Sequence, residues 1–147
     1  MKSVMLFMTL TSVLMCVSVH SVKASEQQFT VPDCMMSAAP CIKTVDGFTV
    51  AFDINPKPLK AMRSLLFRTT ISNQGSPVTD ASVSIDLSMP GMYMGQNIIG
   101  LNHLRDGIYE GKGVIVRCPS GKKIWRASVA IHHTGNESVV DYIFEVP

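Results

Sequence analysis

The chain has 147 residues, a formal net charge of +2, 16% charged side chains and four cysteines, enough for one domain with an adequate core. So balanced a charge excludes the basic surface that nucleic-acid binding needs. The sequence carries no paired-carboxylate signature, Gly-rich phosphate loop or nucleophile elbow, so it reads as a non-enzyme.

The first element is an export signal. Lys2 supplies a positive start, Val4 to Val19 is an apolar run, and Val22-Lys23-Ala24 ends in a small residue, as a cleavage site does. The run is short for a membrane span and no second apolar stretch follows. Residues 1–24 therefore predict a cleavable signal peptide, a periplasmic or secreted mature chain and no membrane span after cleavage. Cys16 lies in the run, but Met15 precedes it where lipid attachment needs a small side chain, so a lipoprotein is set aside. Cleavage removes Lys2 and Lys23, leaving eleven basic against eleven acidic residues. Four of the ten methionines leave too, yet Met89, Met92 and Met94 still fall within six residues.

Residues 25–45 read as an arm and a first short strand, and residues 46–147 as the domain proper. Residues 25–40 show no sustained period and hold two prolines. With Cys16 gone, Cys34, Cys41 and Cys118 remain, and an odd count in an oxidising compartment predicts one disulfide and one free thiol. Any pair of the three can bridge. A thiolate and thioether cluster of Cys34, Met35, Met36 and Cys41 is the sharper alternative.

Asp46-Gly47 is the favoured sequence of a tight hairpin turn. It is followed by Phe48, Val50, Phe52 and Ile54 on one face, until Asn55-Pro-Lys-Pro58 ends the strand. Pro58 to Arg63 suits a single helical turn. Ser64 to Asn73 is the next strand, and Gln74-Gly-Ser-Pro77 turns it into Val78 to Met89. There Ala81, Val83, Ile85, Leu87 and Met89 face inward, the cleanest alternation in the chain. Asn97 to Arg105 and Ile108 to Val116 flank Asp106-Gly107, with Gly111 and Gly113 marking a bulge or a close backbone approach. Cys118-Pro-Ser-Gly121 turns into Ile124 to His132, and Thr134 to Glu137 turns into Val139 to Val146. About seven short strands separated by turn residues, with no amphipathic helix, predict an all-β, immunoglobulin-like antiparallel β-sandwich.

The Met89-Pro-Gly-Met-Tyr-Met94 loop is the strongest constellation. Thioether sulfur is a soft donor that suits Cu(I), and Met92 and Met94 point the same way if the loop is extended. Met89 joins them only if Pro90-Gly91 folds the strand end back. His103 can complete a three-coordinate site. Methionine also fills apolar gaps, and residue types alone favour that packing role, with the side chains capping the open end over Tyr93 and Ile98. Blue-copper ligation needs a histidine close behind the cysteine, and Cys118 is followed by Pro-Ser-Gly-Lys. His132 and His133 face opposite ways on a strand and do not clamp one ion.

In order and spacing the chain resembles the YtkA-like family, related in layout to FixH-type proteins. The segments concerned run from about Phe48 to Ile131: Asn55-Pro-Lys-Pro58, Gly75-Ser-Pro-Val-Thr-Asp-Ala81, Met89 to Met92, Asp106 to Tyr109 and Gly121 to Trp125. The resemblance implies an immunoglobulin-like sandwich of the bacterial envelope that handles metal, near copper or heavy-metal efflux and cytochrome oxidase assembly. Members often carry a histidine beside the Met-Pro-x-Met segment. Here Tyr93 and Met94-Gly95 stand in that place, so histidine ligation rests on His103. Taken together, the expectation is a periplasmic protein that binds copper as Cu(I) through Met92 and Met94, with Met89 and His103 as additional ligands. The competing class is an adaptor that offers the same loop to an efflux or oxidase-assembly partner.

Overall fold

In the computed structural model, which describes residues 31–147, the alternating segments become strands. The signal peptide expected over residues 1–24 lies outside the described residues. The strands are β1 (Cys41–Val45), β2 (Phe48–Asn55), β3 (Ser64–Asn73), β4 (Ser76–Pro77), β5 (Ser82–Ser88), β6 (Ile98–Arg105), β7 (Ile108–Val114), β8 (Ile124–His133) and β9 (Asn136–Glu145). Every pairing is antiparallel, in the order β1-β2-β3-β7-β6-β5-β8-β9, with β4 as a short addition to β3. The spatial order β8-β5-β6-β7 is a Greek key: three consecutive strands lie side by side and the fourth returns beside the first.

One face of each strand is buried, as in β2, where Phe48, Val50, Phe52 and Ile54 go inside. The hairpin turns are made by residue types that tolerate positive φ. Asp46-Gly47 and Asp106-Gly107 both have φ above zero. Gly107 is irreplaceable for a second reason: a Cβ there would come within 2.3 Å of the Ile71 carbonyl oxygen.

β6 bends the sheet into a barrel. Ile98 to Leu101 pair with β5, whereas Asn102, His103 and Arg105 pair with β7, and the register slips between His103 and Arg105. The bulge expected near Gly111 and Gly113 therefore sits in the partner strand. Those glycines provide the close approach instead. A Cβ on Gly111 would meet the Gly100 carbonyl oxygen at 2.5 Å, and one on Gly113 would meet the Ile99 side chain at 2.3 Å.

The two edge strands, β1 and β9, come alongside each other, and the arm seals the seam. The backbone N–H groups of Asp33 and Cys34 donate to the Ile143 carbonyl at 2.9 and 3.1 Å. The Asp33 carboxylate accepts from the Ile143 N–H at 2.9 Å. Lys43 pairs with Asp33 and donates to the Asp141 carbonyl at 2.6 Å. A disulfide from Cys34 to Cys41 ties the arm to β1. The result is an all-β, near-closed antiparallel barrel of eight to nine strands, against the seven or so expected. The first short strand expected before Asp46 is β1, and the strand not expected is β4, whose two residues pair with the end of β3.

A hydroxyl also crosses the core. Tyr142 on β9 donates to the Val50 carbonyl on β2 at 2.7 Å, and its ring packs on Phe52 with centroids 5.1 Å apart. Burial, with the Asp33 charge adding to it, raises the Tyr142 phenol well above its ordinary pKa, so the ring stays neutral and keeps donating.

Candidate metal centre

Three connections meet at one end of the barrel: residues 56–63, 89–97 and 115–123. The Met62 N–H donates to the Ile115 carbonyl at 2.8 Å, joining the first to the third. The Leu87 N–H donates to the Asn97 carbonyl at 3.0 Å, closing the second onto the end of β5.

Within the second connection, Pro90-Gly91 folds the chain back. Met89 and Met92 form an isolated antiparallel bridge, and the Met92 N–H donates to the Met89 carbonyl at 3.1 Å. Gly91 has φ +71, so proline and glycine occupy the places a type II turn gives them. Met89 continues the inward alternation of β5 and is 2% exposed, packed in the core. Met92 and Met94 are half-buried against that core, while Tyr93 between them is 92% exposed. The two thioethers thus share a side, as their spacing predicts.

The third connection brings a further sulfur. Cys118 is buried, and the Gly121 N–H donates to its carbonyl at 3.0 Å to make the turn. The Cys118 Sγ stands 3.6 Å from the Met92 Sδ and 3.0 Å from the Ser120 hydroxyl oxygen. A first-row metal with metal–sulfur bonds of roughly 2.3 Å holds two sulfurs about 3.8 Å apart at a tetrahedral angle. The observed pair is thus already near ligating distance. The Ser120 hydroxyl is the main reason that the Cys118 thiol lies below its ordinary pKa. Backbone N–H groups of Ser120 and Lys122 and the Lys122 charge act in the same sense, and burial opposes them.

His103 is not brought to these sulfurs. It lies five residues beyond Ile98, the end of β6 nearest the Met loop, and so roughly 16 Å along the strand. Its ring packs on Tyr109, centroids 5.1 Å apart, and the Tyr109 hydroxyl bonds to Val78 and Ala81, at the opposite end of β5 from Met89. Proximity in sequence fails because β6 runs straight away from the loop. The Cys34, Met35, Met36 and Cys41 cluster does not form either. Cys34 and Cys41 are bonded to each other, Met36 is buried, and Met35 is 76% exposed. His132 faces Glu137 at 3.4 Å and His133 faces Asp80 at 3.0 Å, on opposite sides of β8.

No family model, curated protein or solved structure matches the chain. Among the described residues no three His, Cys, Asp or Glu side chains gather into a group that could hold a metal. What this end of the barrel offers a cation is therefore sulfur: one thiol and the Met92 thioether beside it, with Met94 two residues on in the same loop. Such a donor set discriminates by softness, favouring Cu(I) over hard ions such as Mg²⁺ and Ca²⁺. In the sequence, Cys118 is one of three cysteines any two of which can bridge, and the lack of a histidine behind it speaks against blue-copper ligation. The odd cysteine count was the one signal that it had another use.

Proposed function

We propose that the protein is an exported, non-enzymatic copper carrier that holds Cu(I) between Met92 and Cys118, with Met94 as a third donor. Met89 supports the loop from the core. The observation that carries this reading is the 3.6 Å separation of the Cys118 Sγ and the Met92 Sδ, from two connections that are distant in sequence. The pairing of Cys34 with Cys41 supports it, because among the described residues it leaves Cys118 without a cysteine to pair with. A thiolate gives affinity, and neutral thioethers allow the ion to pass on without a proton having to return to them. Residues 1–24 support delivery to the cell envelope, and the Greek-key path is compatible with an immunoglobulin-like sandwich of the YtkA-like kind.

Titration of the reduced protein with Cu(I) against a competing chelator tests the proposal. Met92→Leu and Cys118→Ser should each weaken Cu(I) binding by about tenfold or more, while His103→Leu, at the far end of β6 from the sulfur pair, leaves it unchanged. Equal affinity in all four proteins, or no affinity in any, removes the metal reading. The adaptor reading then stands in its place. The observation that favours it is Tyr93, almost fully exposed at the loop tip, where an efflux or oxidase-assembly subunit can dock.

A further inference from the structure

The metal end of the barrel also concentrates positive charge. Lys60 and Arg63 from the β2–β3 connection, with Arg117, Lys122 and Lys123 from the β7–β8 connection, line one open cleft of about 670 Å³. All five are exposed, and among the described residues none of them makes an ion pair. Lys43, Lys57 and Arg68, by contrast, are each matched to a carboxylate. No Asp or Glu among the described residues lines the cleft. Glu145, close by in sequence, is exposed between the buried Phe144 and Val146 and so lies on the outer face of β9. In a chain of nearly balanced charge, five unmatched cations around one concavity repel one another, and a bound anion relieves that repulsion.

The cleft is not only charged. Val116, Val146 and Trp125 give it apolar lining as well, and the volume falls within the range of small-molecule sites, roughly 300–1,000 Å³. Two guanidinium groups, one from each connection, suit the planar, bidentate recognition of an oxyanion. Five cations exceed what a single carboxylate needs. They suit a phosphate, which carries nearly two negative charges at neutral pH and three strong acceptor oxygens.

We propose that this cleft binds an organic phosphate, its phosphoryl group held by Arg63, Arg117 and the lysines and its apolar body against Val116, Val146 and Trp125. Cys118 also lines this cleft, so the site adjoins the copper proposal, but it needs none of the thioethers and no metal. Calorimetry on the copper-free protein tests it, with phenyl phosphate, inorganic phosphate and phenol as probes. Co-sedimentation with phosphatidylcholine vesicles, with and without phosphatidylglycerol, distinguishes a lipid headgroup from a free phosphate. Because Trp125 is the only tryptophan in the chain, its fluorescence gives a second readout at the cleft itself.

Phenyl phosphate should bind saturably and more tightly than inorganic phosphate, phenol should not bind, and added salt should weaken the interaction. Selective sedimentation with the phosphatidylglycerol vesicles would instead identify the headgroup as the source of the same chemistry. In either case Arg63→Gln with Arg117→Gln should cost about tenfold or more in affinity. Lys112→Gln on β7, outside the cleft, should leave it unchanged. If the double variant does not fold, Lys60→Gln and Lys122→Gln singly should each weaken binding several-fold. Absence of binding to both phenyl phosphate and the anionic vesicles overturns the proposal, as does binding that survives these substitutions or that phenol reproduces.

Discussion

Cys118 is buried beside Met92, hydrogen-bonded to Ser120, and, among the described residues, left without a cysteine partner by the bond between Cys34 and Cys41. The Ser120 hydroxyl favours the thiolate, which lowers the pH at which Cys118 can bind a metal. Metal binding needs the deprotonated sulfur, so below the thiol pKa Cu(I) affinity falls about tenfold for each pH unit. Replacing Ser120 with alanine removes the main cause of the lowered pKa. The acid limb of Cu(I) affinity should then move to higher pH, as chelator competition at a series of pH values would register. Coincident wild-type and Ser120→Ala profiles would separate the hydroxyl from the ligand. At this scale the inward place of Met89 was legible from the Ala81 to Met89 alternation. The meeting of Met92 with Cys118 was not, because 26 residues separate them and neither loop has a period that fixes its fold.

Strand alternation and Asp-Gly turns made most elements readable before the coordinates. The segment from Val78 to Met89 shows where that reasoning ends. Expected as one strand, it is a strand only over β5 (Ser82–Ser88), with residues 78–81 before it held by the Tyr109 hydroxyl, while the expected turn before it contains β4 (Ser76–Pro77). That hydroxyl donates to the Val78 carbonyl at 3.0 Å and accepts from the Ala81 N–H at 3.2 Å. A contact across 28 or more residues leaves no trace in local periodicity. The glycines of β7 carry the clearest prediction about an element. A Cβ on Gly111 would strike a backbone oxygen, which cannot move without displacing β6, whereas one on Gly113 meets only side-chain atoms, Cδ1 and Cγ1 of Ile99 and the Phe67 ring, which can yield without moving the backbone. Both substitutions overpack the barrel, typically by 1–3 kcal/mol. Gly111→Ala should therefore lower stability in denaturant unfolding by more than Gly113→Ala. The reverse order would mean that β6 yields more easily than its backbone contact implies.

Across the whole molecule, closure is completed by side chains as well as by ladders. The arm, Lys43 and the disulfide seal β1 to β9, and Tyr142 joins the two walls through Val50. Removing the hydroxyl in Tyr142→Phe should cost about 1 kcal/mol at neutral pH. The sign of the pH effect follows from the raised pKa. The unfolded chain loses the phenol proton near pH 10 while the folded one keeps it. This part of the stability is therefore full below about pH 10 and is lost as pH rises above it. Tyr109 is raised in the same direction by burial, so the alkaline decline should be shallower in Tyr142→Phe than in wild type without vanishing. Denaturant midpoints measured from neutral to strongly alkaline pH would show this.

The barrel brings three connections to one end, where we propose that its sulfur atoms hold copper. X-ray absorption at the copper edge, on the reduced protein loaded with one equivalent of Cu(I) and desalted, examines that claim at the metal itself. Sulfur should be the only near neighbour of the copper, with one sulfur fewer in Cys118→Ser. Copper that is lost on desalting, or that is retained with nitrogen and oxygen neighbours, would contradict it.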